Sequence, residues 1–222
     1  MKNINQKHMS DSFYLGLLLA LVGGFLDAYT YVLRGEVFAN AQTGNIVLLG
    51  LTIADGNIRH ALYYLIPILS FILGIILSNI VEKVYKENNR LHWRQITVLA
   101  EILVLLVVGF LPIGNLNILA NILISFVCSI QVESFRKMNH LAYASTMCTG
   151  NLRSGTEQLY KYILTKDVEA RNKFLQYYTV ILLFIIGAVA GMGISKYIGA
   201  QAVWFCCIIL AIVFIIMIEK KN

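Results

Sequence analysis

The sequence predicts an all-α membrane protein with six transmembrane helices and two short half or re-entrant helices, arranged as a three-plus-three inverted repeat. Three observations predict it. Of the 222 residues, 58% are hydrophobic and 14% charged, so the apolar surface exceeds what one soluble core of this size hides. The apolar residues fall in runs long enough to cross a hydrocarbon core of about 30 Å, which takes roughly 20 helical residues. A short phrase also occurs twice, as Ala41-Gln42-Thr43-Gly44-Asn45 and as Met147-Cys148-Thr149-Gly150-Asn151. Each copy follows a hydrophobic segment with a polar residue near its end, Asp27 in the first and Gln131 in the second.

The expected spans are Ser12–Leu33, Ala61–Val81, Ile96–Pro112, Ile118–Phe135, Tyr177–Ile194 and Ala202–Ile218. Lys2 and Lys7 precede the first run, as in a signal peptide. That run is too long for such a segment and ends on no convincing cleavage site, so it reads as a retained helix. Two further helices are expected to start at the Thr-Gly-Asn copies. Ile46–Ala54 is apolar all round but about half the length of a span, which suggests a half helix. Leu152–Lys166 has Arg153, Glu157 and Lys161 at i, i+4 spacing on one face and Leu152, Leu159 and Ile163 on the other.

Charge decides whether these short segments cross. If neither does, one side receives Lys2, Lys7, Lys83, Lys86, Arg90, Arg94, Arg136, Lys137, Arg153, Lys161, Lys166, Arg171, Lys173, Lys220 and Lys221. The other receives Arg34, Arg59 and Lys196, which completes the 18 basic residues. That asymmetry follows the positive-inside rule and puts both termini in the cytoplasm. If both segments crossed, most of the asymmetry would vanish. The net charge of +6 therefore reads as orientation, and no nucleic-acid partner is expected.

Three spans per half make the second half enter from the opposite face. The whole chain, 1–222, then forms one integral domain, with repeat one over about 12–112 and repeat two over about 117–219. The order of features supports the duplication. Tyr63-Tyr64 and Tyr177-Tyr178 start the helices that follow the two Thr-Gly-Asn segments. Each of those helices carries a small-xxx-small pair, Gly74 with Ser78 and Gly187 with Gly191. The tyrosines also suit a plain interfacial role.

The stretch Gly23-Gly24-Phe25-Leu26-Asp27-Ala28, then Val37-Phe38-Ala39-Asn40, then Thr43-Gly44-Asn45 resembles the bacterial YoaK-like integral membrane proteins, a family of unknown function. Gln131 and Thr149-Gly150-Asn151 match its second half, so the likeness covers nearly the whole chain. The resemblance implies a multi-pass protein of the bacterial plasma membrane and carries over no substrate or catalytic residue. The charged segment around Arg153 departs from the family pattern.

The candidate site residues are Asp27, Thr43, Gly44, Asn45, Gln131, Thr149, Gly150 and Asn151. Thr43 suits a helix N-cap, Gly44 allows close approach, and Asn45 adds a donor and an acceptor. A helix start within the membrane offers free N–H groups and a positive dipole end to an anion or carboxylate, although both motifs would equally serve to cap and pack short helices. Asp27 lies 15 residues beyond Ser12, about 22 Å along the first span. A membrane carboxylate is costly unless paired or wet, so Asp27 is expected to bind a cation, carry a proton or hold the neighbouring half helix. Gln131 falls at a comparable depth from the other side. Glu101 ranks second, within reach of the interface or a cation, and Glu133 is expected to pair with Arg136 or Lys137. Arg34 and Glu36 read as an outer vestibule or as solvated loop charges.

Cys128, Cys148, Cys206 and Cys207 read as small buried apolar side chains, and the histidines have no metal spacing. No hydrolase or metalloprotease motif is present, so neither an enzyme nor a cofactor is expected. The expected function is a small-solute transporter or channel, with the lipid bilayer and a small molecule or ion as partners. The alternative is a non-transporting scaffold or regulatory protein, with a second copy of the chain among its partners and a sealed midplane.

Overall fold

A computed structural model describes residues 12–85, 93–138, 141–142 and 148–219. Among these residues the helices are α1 Phe13–Leu33, α2 Gln42–Ala54, α3 Ile58–Tyr85, α4 Trp93–Phe110, α5 Asn117–Ser134, α6 Cys148–Thr165, α7 Val168–Ile198 and α8 Trp204–Glu219. Two residues, Lys137–Met138, pair antiparallel with Leu141–Ala142, a minimal ladder that the all-helical expectation omitted. Lys2, Lys7, His8, Lys86, Arg90, His92, His140, Met147, Lys220 and Lys221 lie outside the described residues.

Five helical runs are long and apolar enough to cross a membrane: α1, α3, α4, α5 and the 51-residue run Val168–Ile218. The last contains α7, a 3-10 turn over Gly199–Val203, and α8. Gly199 opens the turn at φ 64°, a left-handed conformation that costs glycine little. Helices α3 and α7 begin at Ile58 and Val168, earlier than expected. The tyrosine pairs therefore lie inside these helices and not at their starts. Tyr64 and Tyr177 are buried, and Tyr178 Oη meets Thr156 Oγ1 at 3.1 Å, so they pack as well as mark an interface.

In lipid, apolar side chains gain little by leaving the tails, so helix association depends on close contact and hydrogen bonds. Helix α1 runs parallel to α7, with Gly187 against Leu21, Gly24 against Phe184 and Gly191 against Phe25. A Cβ on Gly24 or Gly187 would strike the facing backbone carbonyl. Helix α3 runs parallel to α5 in the same manner, with Gly74 against Phe126, Ser70 Oγ donating to the Ile122 carbonyl at 2.8 Å, and Ser78 Oγ 3.3 Å from Ser134 Oγ. Helix α8 is antiparallel to α4: Trp204 Nε1 donates to the Leu106 carbonyl, and the Cys207 thiol lies against Ile102. Leu15, Leu19, Val22 and Leu26 of α1 meet Leu105, Val108, Ile124 and Leu210 in the central core. Outward faces such as Leu69, Leu73 and Ile76 of α3 are apolar, which suits a bilayer.

Arg34 is the clearest departure from expectation, since its loop position suggested solvation. It is fully buried. Its guanidinium donates to Tyr29 Oη at 2.7 Å and to the carbonyls of Leu111 and Pro112, both at 3.0 Å. Those carbonyls follow the last turn of α4, the negative end of that helix. The Arg34 carbonyl accepts from Asn121 Nδ2 at 2.8 Å, and Tyr29 Oη donates to the Ala200 carbonyl at 3.0 Å. One residue thus joins the ends of α1, α4 and α5 to the 3-10 turn.

At the opposite end, Asp167 caps α7 by accepting the Glu169 amide N–H at 2.9 Å. Lys161 Nζ lies 3.0 Å from its other oxygen, and this ammonium, then the Glu169 amide, holds the Asp167 carboxyl below its ordinary value.

Two stability outcomes follow from this packing. Gly187→Val forces the α1 and α7 backbones apart and is expected to lower stability by about 1–3 kcal/mol, measured as a lower melting temperature in detergent. Arg34→Lys keeps the charge but loses the planar fork, leaving carbonyls unanswered. A loss of about 1–3 kcal/mol is expected, and an unchanged melting temperature would remove Arg34 as the clamp.

Candidate functional site

The site begins with a chain reversal after α1. Asp27 is 5% exposed, and its Oδ1 accepts the Asn40 N–H at 2.7 Å and the Ala41 N–H at 3.4 Å. Asn40 Nδ2 donates back to the Gly23 carbonyl at 3.3 Å. The loop therefore returns along α1, and the Tyr31 and Phe38 rings stack at 4.9 Å.

Asn45 then fastens the loop to α2. Its Oδ1 accepts the Phe38 N–H at 3.0 Å, and its Nδ2 donates to the Phe38 carbonyl at 2.7 Å and to Gln42 Oε1 at 3.0 Å. Gly44 makes room for the Phe38 ring, since a Cβ there would lie 2.8 Å from it. The room expected for a ligand or another backbone is thus filled from within the chain.

Thr43 is not the N-cap. Helix α2 begins at Gln42 after Ala41, with no side-chain cap, and Thr43 stands in the first turn. The reason is local satisfaction: the Gln42 N–H bonds the Asn40 carbonyl at 2.8 Å and the Gly44 N–H bonds the Ala41 carbonyl at 2.9 Å. With Asn40 and Ala41 held by Asp27, four of the donors around this helix start already have acceptors.

Both helix starts open on one cavity of about 730 Å³. Asp27, Thr43, Thr149 and Gly150 line it, together with Asn40 and Cys148, which the sequence reading did not place in the site. Tyr31, Phe38, Phe71 and Phe184 supply aromatic wall. Size, apolar lining and few polar groups are those of a small-molecule pocket. Asp27 Oδ2 and Asn40 Oδ1 have no hydrogen-bond partner among the described residues, although the weak donor of the Cys128 thiol lies beside Asn40. The adjacency of Asn40 to the repeated phrase was the available signal for it.

Gly44, Asn45, Gln131 and Asn151 do not line the cavity. Gln131, on α5, is buried against another part of α1, where its Nε2 donates to the Leu19 carbonyl at 3.3 Å. Asn151 is buried in the first turn of α6. Gln131 therefore does not share the cavity that Asp27 lines. Glu101 is buried on α4 with no hydrogen bond or cation partner among the described residues, not at the interface, and Cys128, Cys206 and Cys207 are its electrostatic neighbours. Glu133 pairs with Arg136 at 3.2 Å, and Arg153 with Glu157 at 2.9 Å, as their spacing predicted.

A family model described as a protein of unknown function, DUF1275, matches residues 15–216. The chain belongs to the DUF1275 family. It is also 30% identical over 181 residues to the UPF0700 transmembrane protein YoaK of Bacillus subtilis strain 168, covering 78% of this chain and 79% of that protein. No solved structure matches it. The DUF1275 match spans both Thr-Gly-Asn copies and every described helix that lines the cavity.

Removing the Asn45 clamp is expected to loosen the cavity's loop wall. Asn45→Ala takes the partner from the part-buried Phe38 N–H and carbonyl, at a cost of about 1–3 kcal/mol. Faster hydrogen exchange at Phe38, with α4 and α8 unchanged, is the expected reading.

Proposed function

We propose that this DUF1275 protein is a small-solute transporter or channel of the bacterial cell membrane, with its solute site between two inverted halves. The observation that carries the reading is the convergence of both Thr-Gly-Asn helix starts and the Asp27 carboxylate on one cavity. A sealed scaffold needs no such space beside two helix starts.

Helix directions support six crossings arranged three plus three. Val168–Ile218 would be about 77 Å long if straight, more than twice a hydrocarbon core, and its two helices run in opposite senses. Exchanging α1 with α5, α2 with α6, α3 with α7 and α4 with α8 converts each main packing into another. The parallel α1–α7 pair becomes α5–α3, the α2–α3 pair becomes α6–α7, and the antiparallel α4–α8 pair maps onto itself. Inverted repeats of this kind place solute sites where interrupted helices meet. In this arrangement Arg34, Arg59 and Lys196 lie on the outer side and both termini are cytoplasmic.

The small-xxx-small faces that a scaffold would offer a partner are used within the chain, on α1 and α5. The reading assigns no catalytic step. Metabolite and ion fluxes compared in cells lacking and overproducing the protein provide the test. A solute flux that follows the wild-type protein is expected to fall at least about tenfold in Asp27→Asn, as removal of a buried charge contact implies. No flux difference for any solute would sink the reading.

A further inference from the structure

We propose that the cavity takes an organic ammonium ion with an apolar or aromatic substituent, its charged head at Asp27 and Asn40. This rests on the cavity being a solute site and adds the chemical class of the solute.

Buried polar groups in native proteins nearly always have partners, so those left over indicate what a ligand must bring. Two buried side-chain atoms of cavity-lining residues lack one among the described residues, Asp27 Oδ2 and Asn40 Oδ1, and both are acceptors. At the start of α2 the N–H groups of Asn40, Ala41, Gln42 and Gly44 already have acceptors. The helix dipole contributes about half a charge at that end, and the Asp27 carboxyl already accepts the Asn40 and Ala41 N–H groups in front of it. The balance calls for a donor carrying positive charge.

The walls decide between an inorganic and an organic cation. A calcium-like ion needs six to eight oxygen ligands and magnesium an octahedral set. Here the two unpaired oxygens belong to residues that line a space of about 730 Å³, and no group of three metal-ligating side chains forms among the described residues. Tyr31, Phe38, Phe71 and Phe184 offer aromatic surface suited to an ammonium and to its apolar body. Val189 and Met192, outward-facing residues of α7, lie on the same wall, so the space reaches the flank of the bundle where a lipophilic amine partitions.

The test uses the full chain in nanodiscs and three probes of one shape: 2-phenylethylamine, 2-phenylethanol and phenylacetate, with binding measured by calorimetry. The amine is expected to bind tightest, and Asp27→Asn to weaken it about 30-fold or more while leaving the alcohol unchanged. Gly150→Leu provides a second variant that keeps Asp27 and its hydrogen bonds, because a Cβ at Gly150 meets nothing within 4 Å. It is expected to exclude both amine and alcohol. Preference for phenylacetate, equal binding of amine and alcohol, or amine binding indifferent to both substitutions would overturn the proposal. Proteoliposome uptake of labelled 2-phenylethylamine separates the two ideas. Asp27-dependent binding without uptake upholds the ligand class and removes transport, whereas flux of another solute with no amine binding removes the class and leaves transport.

Discussion

Asp27 in α1 accepts the main-chain N–H of Asn40, and the local architecture around the cavity depends on that bond. A carboxylate inside an apolar bundle and an amide at an interrupted backbone are each costly alone. Together they satisfy one another and return the chain along α1, which brings the start of α2 into the bundle. Because one oxygen does this work, the other is left buried without a hydrogen-bond partner among the described residues. The loop-holding role expected of this residue thus falls to one of its two oxygens.

The frame that holds this arrangement is made of short contacts, in keeping with a lipid environment where apolar burial drives little. Glycines let α1 and α7 approach backbone to backbone, and serines on α3 bond across to α5. Arg34 answers carbonyls at the end of α4 and fixes the end of α1 against three other elements. A planar guanidinium with five donors is suited to such a place, where a lysine would leave oxygens unsatisfied. The cavity survives because its walls belong to helices pinned at such points on either side.

Much of the fold was legible along the chain. Hydrophobic runs placed the long helices to within a few residues at most ends, and the repeated Thr-Gly-Asn phrase marked both α2 and α6. The misjudged positions share a cause. Arg34 looked solvated because loops usually are, yet its partners Leu111 and Pro112 lie 77 and 78 residues away. Thr43 looked like a cap because hydroxyls cap helices, yet turn bonds from Asn40 and Ala41 served the helix start first. Gln131 matched Asp27 in sequence order, but its amide meets α1 at Leu19, well away from the cavity.

Composition and pattern by themselves determined that the chain is helical, that its exterior is apolar and suited to lipid, and that two short polar helix starts interrupt the bundle. These are properties of local periodicity and transfer energy, and one dimension carries them. Tertiary structure alone decided which polar atoms are already paired. It gave acceptors to four N–H groups around the start of α2, buried Arg34 on carbonyls, turned Gln131 away, and left acceptors of Asp27 and Asn40, two residues of the cavity wall, without partners among the described residues. Hydrogen-bond satisfaction is a property of atoms meeting in space, and residues 13 apart, such as Asp27 and Asn40, meet only because the chain between them has already folded back.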